Sequence, residues 1–104
     1  MTNEPAAPGR PVVMITGASA GVGRATAVMF GRLGACVGLL ARGRAGLEGA
    51  RRDVEAAGGQ AVVFEADVAD AAAVEAAAAQ LEQQGGPIDI WVNNAMARDR
   101  KSVV

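Results

Sequence analysis

Apolar and polar positions follow two rhythms along this chain, and the switches between them mark out seven elements. Pro11 to Thr16 (PVVMIT), Cys36 to Ala41 (CVGLLA) and Gln60 to Glu65 (QAVVFE) are short, mainly apolar runs, and Asp89 to Asn93 (DIWVN) is a fourth. Runs of this length, rich in β-branched residues, predict strands buried on both faces. Between them the apolar spacing changes to three and four. Val22, Ala25, Thr26, Met29, Phe30 and Leu33 predict a helix from Gly21 to Leu33 with that stripe turned inward and Gly34 as its stop. Leu47, Ala50, Val54 and Ala57 predict a second helix, ended by Gly58-Gly59. Asp70 reads as the N-cap of an alanine-rich third, with Val74, Ala77, Ala78 and Leu81 facing inward and Gly85-Gly86-Pro87 closing it.

The order βαβαβαβ with short connections predicts an α/β fold: a partial, Rossmann-like, doubly wound parallel sheet with right-handed crossovers and helices on both faces. Residues 11–96 form the one domain expected. Residues 1–10 are polar and proline-rich, lack a hydrophobic signal core, and read as a disordered lead-in. Residues 97–104 (ARDRKSVV) place four charged residues in a row with no apolar stripe. They read as an atypical tail rather than the start of another βα unit.

Composition narrows the function classes. Half of the residues are apolar and the formal net charge is −1. No Lys/Arg block is long enough to follow a phosphate backbone, so no nucleic-acid partner is expected. No apolar run approaches the ~18 residues of a membrane span, so no membrane partner is expected either. There is one cysteine, Cys36, and no histidine. A zinc set cannot be assembled from these, and no internal disulfide is possible, which agrees with a reducing, cytoplasmic setting. Cys36 and Trp91 both fall inside strands and read as core packing.

The candidate chemistry lies at the ends of the strands. Thr16-Gly17-Ala18-Ser19-Ala20-Gly21-Val22-Gly23 joins the first strand to the first helix, where a phosphate-binding turn belongs. Gly17 lets the chain turn off the strand, Gly21 leaves room for a pyrophosphate, and Gly23 lets the helix pack closely. Ser19 adds a hydroxyl donor, and the first-turn amides, that of Val22 among them, face the anion with the positive end of the helix dipole. Glycines that merely make a tight turn would look similar, but here the flanking strand and helix are the required ones.

The spacing Thr-Gly-x-x-x-Gly-x-Gly resembles the fingerprint of the short-chain dehydrogenase/reductase family. Two further pieces agree in order: Asp67-Val68 after the third strand is similar to the family's Asp-Val/Leu pair, and Asn93-Asn94-Ala95-Met96 after the fourth resembles its Asn-Asn-Ala-Gly. The resemblance runs from about Pro11 to Met96, the first half or less of a family domain. It implies strand order 3-2-1-4, adenine contact at Asp67 and Val68, and adenosine support from Asn94 and Ala95. Met96 departs from the family's glycine. Asp67 also has a simpler reading, as a helix N-cap.

The second strand ends Leu40-Ala41-Arg42-Gly43-Arg44. An acid at that strand end selects NAD through the ribose hydroxyls, whereas an arginine accommodates the 2′-phosphate of NADP. By resemblance Ala41 stands at the acid's position, and Arg42 follows it. The expected cofactor is therefore NADP, with NAD less favoured and Arg42 the residue that decides. Arg24 is a weaker candidate for the same phosphate, and solvated loop charges are the plain alternative for Arg42 and Arg44.

The family's acid–base residues, a Ser, a Tyr and a Lys, belong to its second half. This sequence contains no tyrosine and no histidine; its only lysine is Lys101, and its serines are Ser19 and Ser102. The expectation is the cofactor-binding portion of an NADP-dependent alcohol/carbonyl oxidoreductase with no catalytic residues of its own. A truncated fragment or a dinucleotide-binding module without turnover remains the alternative. The fourth strand is expected to be an open apolar edge and a route to self-association.

Overall fold

The computed structural model describes residues 10–94. The elements follow the expected order: β1 (Val12–Thr16), α1 (Gly21–Arg32), β2 (Cys36–Ala41), α2 (Arg44–Ala57), β3 (Gln60–Glu65), α3 (Ala71–Gly85) and β4 (Ile90–Asn93). All strand pairs are parallel and the sheet order is β3-β2-β1-β4. The lead-in of residues 1–9, the Ala95-Met96 pair and the tail of residues 97–104 lie outside the described residues.

The two inner strands are wholly buried because helices cover both faces. Val13, Ile15, Val37 and Leu39 point into a core shared with α1 and α2, where Ala27, Leu47, Ala50 and Val54 meet them. Val12, Met14, Cys36 and Leu40 point the other way, toward Ala77 and Leu81 of α3. This is the period-two alternation of strand side chains, with apolar residues serving both faces.

The helix ends follow from identifiable chemistry. Leu33 caps α1, and Gly34 adopts φ 80° just beyond it. The Gly34 N–H donates to Gly31 O at 2.9 Å and the Ala35 N–H to Phe30 O at 3.1 Å, the paired bonds of a Schellman close. The Asp70 carboxylate accepts from the Ala73 N–H at 3.1 Å and so caps α3 as expected. At the N-terminal end of the sheet, Asp89 accepts from the Val12 N–H through its side chain and donates its own N–H to Val12 O, both at 2.8 Å. That clamp fixes the register of β4 against β1.

Two packing expectations fail. The buried residues of α1 are Gly23, Ala27 and Gly31, whereas Val22, Met29 and Leu33 are exposed. The helix lies so close to its neighbours that only small residues fit beneath it: a Cβ at Gly31 would stand 3.0 Å from the Val54 carbonyl oxygen of α2. The apolar stripe is real but lies on the flank of the helix, with Phe30 alone of its large residues packed against the core. Trp91 is likewise not packing; it is 44% exposed. It sits on the edge strand, beside the buried Met14 in the register, with no described strand beyond it. Cys36, by contrast, is buried as expected, and desolvation raises its thiol pKa, an effect that Arg10 partly offsets.

Candidate functional site

In the order β3-β2-β1-β4 the chain leaves β1 toward β2 and returns from β3 to the far side of β1. The winding therefore reverses between β1 and β4, and the crevice at the C-terminal ends of those strands is where open α/β sheets hold ligands. The glycine turn opens from one wall of that crevice and Asn94 from the other.

The turn is held by backbone. The N–H groups of Gly17 and Ala18 donate to Leu40 O at 2.9 and 3.3 Å, fastening it to the end of β2. Gly17 and Gly21 take φ of 67° and 58°, in the left-handed region that other residues enter at a cost. Among the described residues a Cβ at Gly21 would meet nothing within 4 Å, so this side of the turn is open toward them. Gly23 is the opposite case. A Cβ there would run into the Gly17 carbonyl oxygen and come within 2.8 Å of Asn94 Nδ2. Asn94 Nδ2 also donates to Gly17 O at 3.4 Å, which ties the end of β4 to the turn. The N-cap of α1, Ala20, has no side-chain acceptor to offer, and the first turn carries no acid. Its orphan amides and the positive end of the dipole are therefore left for an anion. Ser19 is half-buried, with its Cβ toward Gly46 of α2; Val22 is present at the turn through its backbone alone, since its side chain lies on the exposed flank of α1.

The arginines separate clearly. Arg24 is committed elsewhere: its Nε and Nη2 hold the Asp53 carboxylate of α2 at 2.9 and 2.8 Å, and its guanidinium packs over Gly49. That bidentate pair leaves Arg24 less available to a phosphate than Arg42. Arg44 reaches Glu65 at 3.2 Å and Glu48 at 3.4 Å. Among the described residues Arg42 meets Asp67 Oδ2 at 3.4 Å, and its side chain is 76% exposed. A pair this open contributes ~0–1 kcal/mol and yields readily to a stronger anion.

Asp67 does not cap α3, a role that falls to Asp70. Its Oδ1 accepts from the Ala69 N–H at 2.9 Å, and this bond, ahead of Arg42, holds its carboxyl below the ordinary 3.8 despite an opposing desolvation. Val68 turns its side chain to the α3-side core. Arg42 and Asp67 thus bring together the ends of β2 and β3, while Gly17, Ser19, Gly21, Gly23 and Asn94 bring together those of β1 and β4. Ala95 lies outside the described residues.

One residue of this arrangement carried no motif. Gly46, in the first turn of α2, would set a Cβ 2.8 Å from the Ser19 Cβ. The glycine lets α2 press against the turn, and its only trace in the sequence is a glycine early in an amphipathic helix. Among the described residues no group of His, Cys, Asp and Glu could hold a metal ion.

Comparison with known proteins decides what this crevice belongs to. The family model described as short chain dehydrogenase matches residues 11–103. The chain belongs to the short-chain dehydrogenase family. It is 40% identical over 99 residues to 3beta-hydroxysteroid dehydrogenase 1 of Eggerthella lenta, covering 88% of this chain and 37% of that protein. The protein named "Probable oxidoreductase EphD" of Mycobacterium tuberculosis is 40% identical over 87 residues, 84% of this chain and 15% of EphD. Among solved structures, a short chain dehydrogenase of Mycobacterium thermoresistibile superposes with a TM-score of 0.80 at 38% identity, over 86% of this chain and 34% of that one. L-sorbose reductase of Gluconobacter frateurii, complexed with NADPH and L-sorbose, gives 0.78 at 36%, over 85% and 34%. NADH-dependent reductase A1-R′, complexed with NAD, gives 0.75 at 30%, over 85% and 37%. The chain thus spans a third or so of the family structures it matches. Of these structures, the L-sorbose reductase holds NADPH and reductase A1-R′ holds NAD, and no described helix of this chain is long and apolar enough to cross a membrane.

Proposed function

We propose that this chain is the dinucleotide-binding portion of a short-chain oxidoreductase whose whole-protein activity is NADP-dependent hydride transfer between an alcohol and a carbonyl. The observation that carries the NADP preference is the end of β2: Ala41 stands where a ribose-binding acid would, and Arg42 follows it with its side chain largely in solvent.

The residues fit such a cofactor. The open turn at Gly21 and the uncapped amides of α1 receive the pyrophosphate, with Ser19 donating a hydroxyl and Gly17 and Gly23 shaping the turn. Arg42 takes the 2′-phosphate through charge-assisted hydrogen bonds that a ribose hydroxyl cannot match. Asp67 and Val68 border the adenine, and Asn94 and Ala95 the adenosine. When bound, the nicotinamide supplies the hydride chemistry; this chain's share is to bind and orient the cofactor. Turnover by this chain alone is not expected, because the sequence holds no tyrosine or histidine to move the substrate proton. The buried lone Cys36 suits a reducing, cytoplasmic setting. The exposed edge of β4 is our candidate for self-association.

Titration calorimetry with NADP and NAD at one fixed salt concentration tests the reading. A charge-assisted contact contributes roughly 1.5–3 kcal/mol; with Asp67 competing for the guanidinium, NADP is expected to bind about tenfold tighter. Arg42→Ala should remove that preference and leave NAD binding nearly unchanged. Ala41→Asp should move selectivity toward NAD by adding a hydroxyl acceptor and a repulsive charge. Equal affinities in the parent chain, or an Arg42→Ala variant that weakens both nucleotides alike, would reduce Arg42 to a solvated loop charge.

A further inference from the structure

The segment that would face a pyrophosphate has little internal support. Gly17, Gly21 and Gly23 leave its backbone freer than other residues would. Its near end is fastened by the Gly17 and Ala18 N–H groups to Leu40 O. The first bond of α1 runs from the Arg24 N–H to Ala20 O at 3.3 Å. The amides of Gly21, Val22 and Gly23 stand ahead of it and have no helix carbonyl to bind. Ala20 offers them no side-chain cap.

Helix α2 meets this segment at both of its limits. Gly46 lies against Ser19: a Cβ there would stand 2.8 Å from the Ser19 Cβ and 3.1 Å from its carbonyl oxygen. Gly49 lies against the Arg24 guanidinium, where a Cβ would be 3.0 Å from Nη2. Asp53 then holds Arg24 Nε and Nη2 at 2.9 and 2.8 Å. At ~100° per residue, positions 46, 49 and 53 lie within about 60° of one another around α2. One helix face thus grips Ser19 on one side and Arg24 on the other. Ala20 to Gly23, between the two grips, carry the amides left for an anion.

We propose that α2 positions the pyrophosphate turn, with Gly46 and Asp53 as positioning residues that fix where the Gly21 and Val22 amides point and do not themselves touch nucleotide. The proposal rests on the dinucleotide reading for what those amides hold, and on the contacts of α2 for the rest. Gly46 sets how near the helix comes, since a side chain there would push Ser19 away. Asp53 acts through Arg24 and makes a strut of a cation that stands beside an anion site. A two-point pair at these distances fixes orientation as well as charge. A turn ordered before its ligand arrives has less freedom to lose on binding, which raises affinity. That support serves NADP and NAD equally, because both carry the pyrophosphate, whereas Arg42 serves the 2′-phosphate.

Titration calorimetry of the full chain with NADP and with NAD, and NMR relaxation of its backbone amides without nucleotide, test this together. Asp53→Asn keeps the side chain's size and removes its charge; it should weaken both nucleotides by about threefold. Asp53→Glu should restore most of that loss. Gly46→Ala should weaken both by about tenfold, although alanine is the better helix former and the thermal midpoint should not fall. Without nucleotide, the order parameters of Gly21 and Val22 should drop in Asp53→Asn, and their amide shifts should move in Gly46→Ala. Met29 and Phe30, farther along α1, should stay at their parent values in both. Tighter binding by Asp53→Asn would overturn the proposal, for Arg24 would then be a phosphate ligand that Asp53 restrains. So would Gly21 and Val22 amides indifferent to both substitutions, or a lower thermal midpoint with unchanged affinity, the mark of a role in the fold alone. A parent chain that binds neither nucleotide would count against the proposed function, and the amide measurements would still decide whether α2 holds the turn.

Discussion

The sheet has two edges, and they are made of similar residues in dissimilar surroundings. At β3, Ala61 and Val63 pack on the α1/α2 core, and Val62 and Phe64 on the α3 core. At β4 only Val92 reaches a core, while Ile90 and Trp91 stand exposed. Both strands are parallel and both are apolar, so neither pairing nor composition separates them. The helices do: α2 lies along the β3 side, and no described helix does the same beyond α1 on the β4 side. An apolar run is evidence that a strand exists, but whether it is covered is a property of the neighbouring layer.

The sharpest way to test this contrast is to remove the same side chain from each side. Leu81 of α3 is fully buried among Met14, Cys36 and Leu40, and Leu33 is exposed at the end of the α1 stripe. Leu81→Ala should cost about 2–5 kcal/mol in lost transfer energy and residual cavity. Leu33→Ala should stay within about 0.5 kcal/mol, as exposed positions do. Urea unfolding followed by circular dichroism reads both. Similar losses at the two sites would mean that the α1 flank is buried in solution and that the edge contrast is false.

A smaller effect is expected from charging the open edge. Ile90→Lys places a cation on the exposed strand, a device by which edge strands resist pairing. Unfolding energy should change by less than about 0.5 kcal/mol, while the mean mass in light scattering should fall toward the monomer if β4 edges associate. The matching substitution on the other edge, Val62→Lys, introduces an unpaired charge beside a packed core and should destabilise the fold instead. Unchanged mass with Ile90→Lys would locate any self-association elsewhere.

Much of this molecule was readable from residue spacing. Seven elements, their order and the parallel sheet follow from runs of apolar residues broken by glycine, proline and capping residues, because those signals are local. The candidate residues at the strand ends were legible for the same reason, each within a short motif, whereas Gly46 in the first turn of α2 was not. The failures were relational. The α1 stripe follows helical spacing perfectly well, but periodicity gives a face and not its direction. The buried face was chosen by Gly23, Ala27 and Gly31, whose smallness permits close approach and gives no hydrophobic signal. Trp91 reads as packing because strand residues commonly pack, and its place on the edge depends on a register seen only in the assembled sheet. Arg24 reads as a weaker phosphate candidate from its nearness to the turn, and its pairing with Asp53, 29 positions away, is visible only in the fold.

The smallest effect expected lies at the joint between β2 and β3, where Asp67 meets Arg42. The Ala69 N–H is the main reason that the Asp67 carboxyl sits below its ordinary 3.8, with Arg42 adding in the same direction and desolvation opposing. A depressed pKa in the folded state means that the ionised form is the one the fold favours. Its contribution is therefore fully present above the unfolded value and fades as pH falls through the folded one. Asp67→Asn keeps an oxygen for Ala69 but cannot accept the proton of Arg42 through its amide nitrogen. The difference in unfolding energy between parent and variant should thus be constant from neutral pH down to about pH 5 and shrink below about pH 4. Since both side chains are largely exposed, added salt should diminish the Arg42 share, whereas the short bond to Ala69 should persist. A carbon-detected NMR titration of the Asp67 carboxyl, repeated with Arg42→Ala, separates the two: the substitution should raise the midpoint only part of the way to the ordinary value. A midpoint already at the ordinary value in the parent chain would mean that Asp67 is not held by the Ala69 N–H in solution.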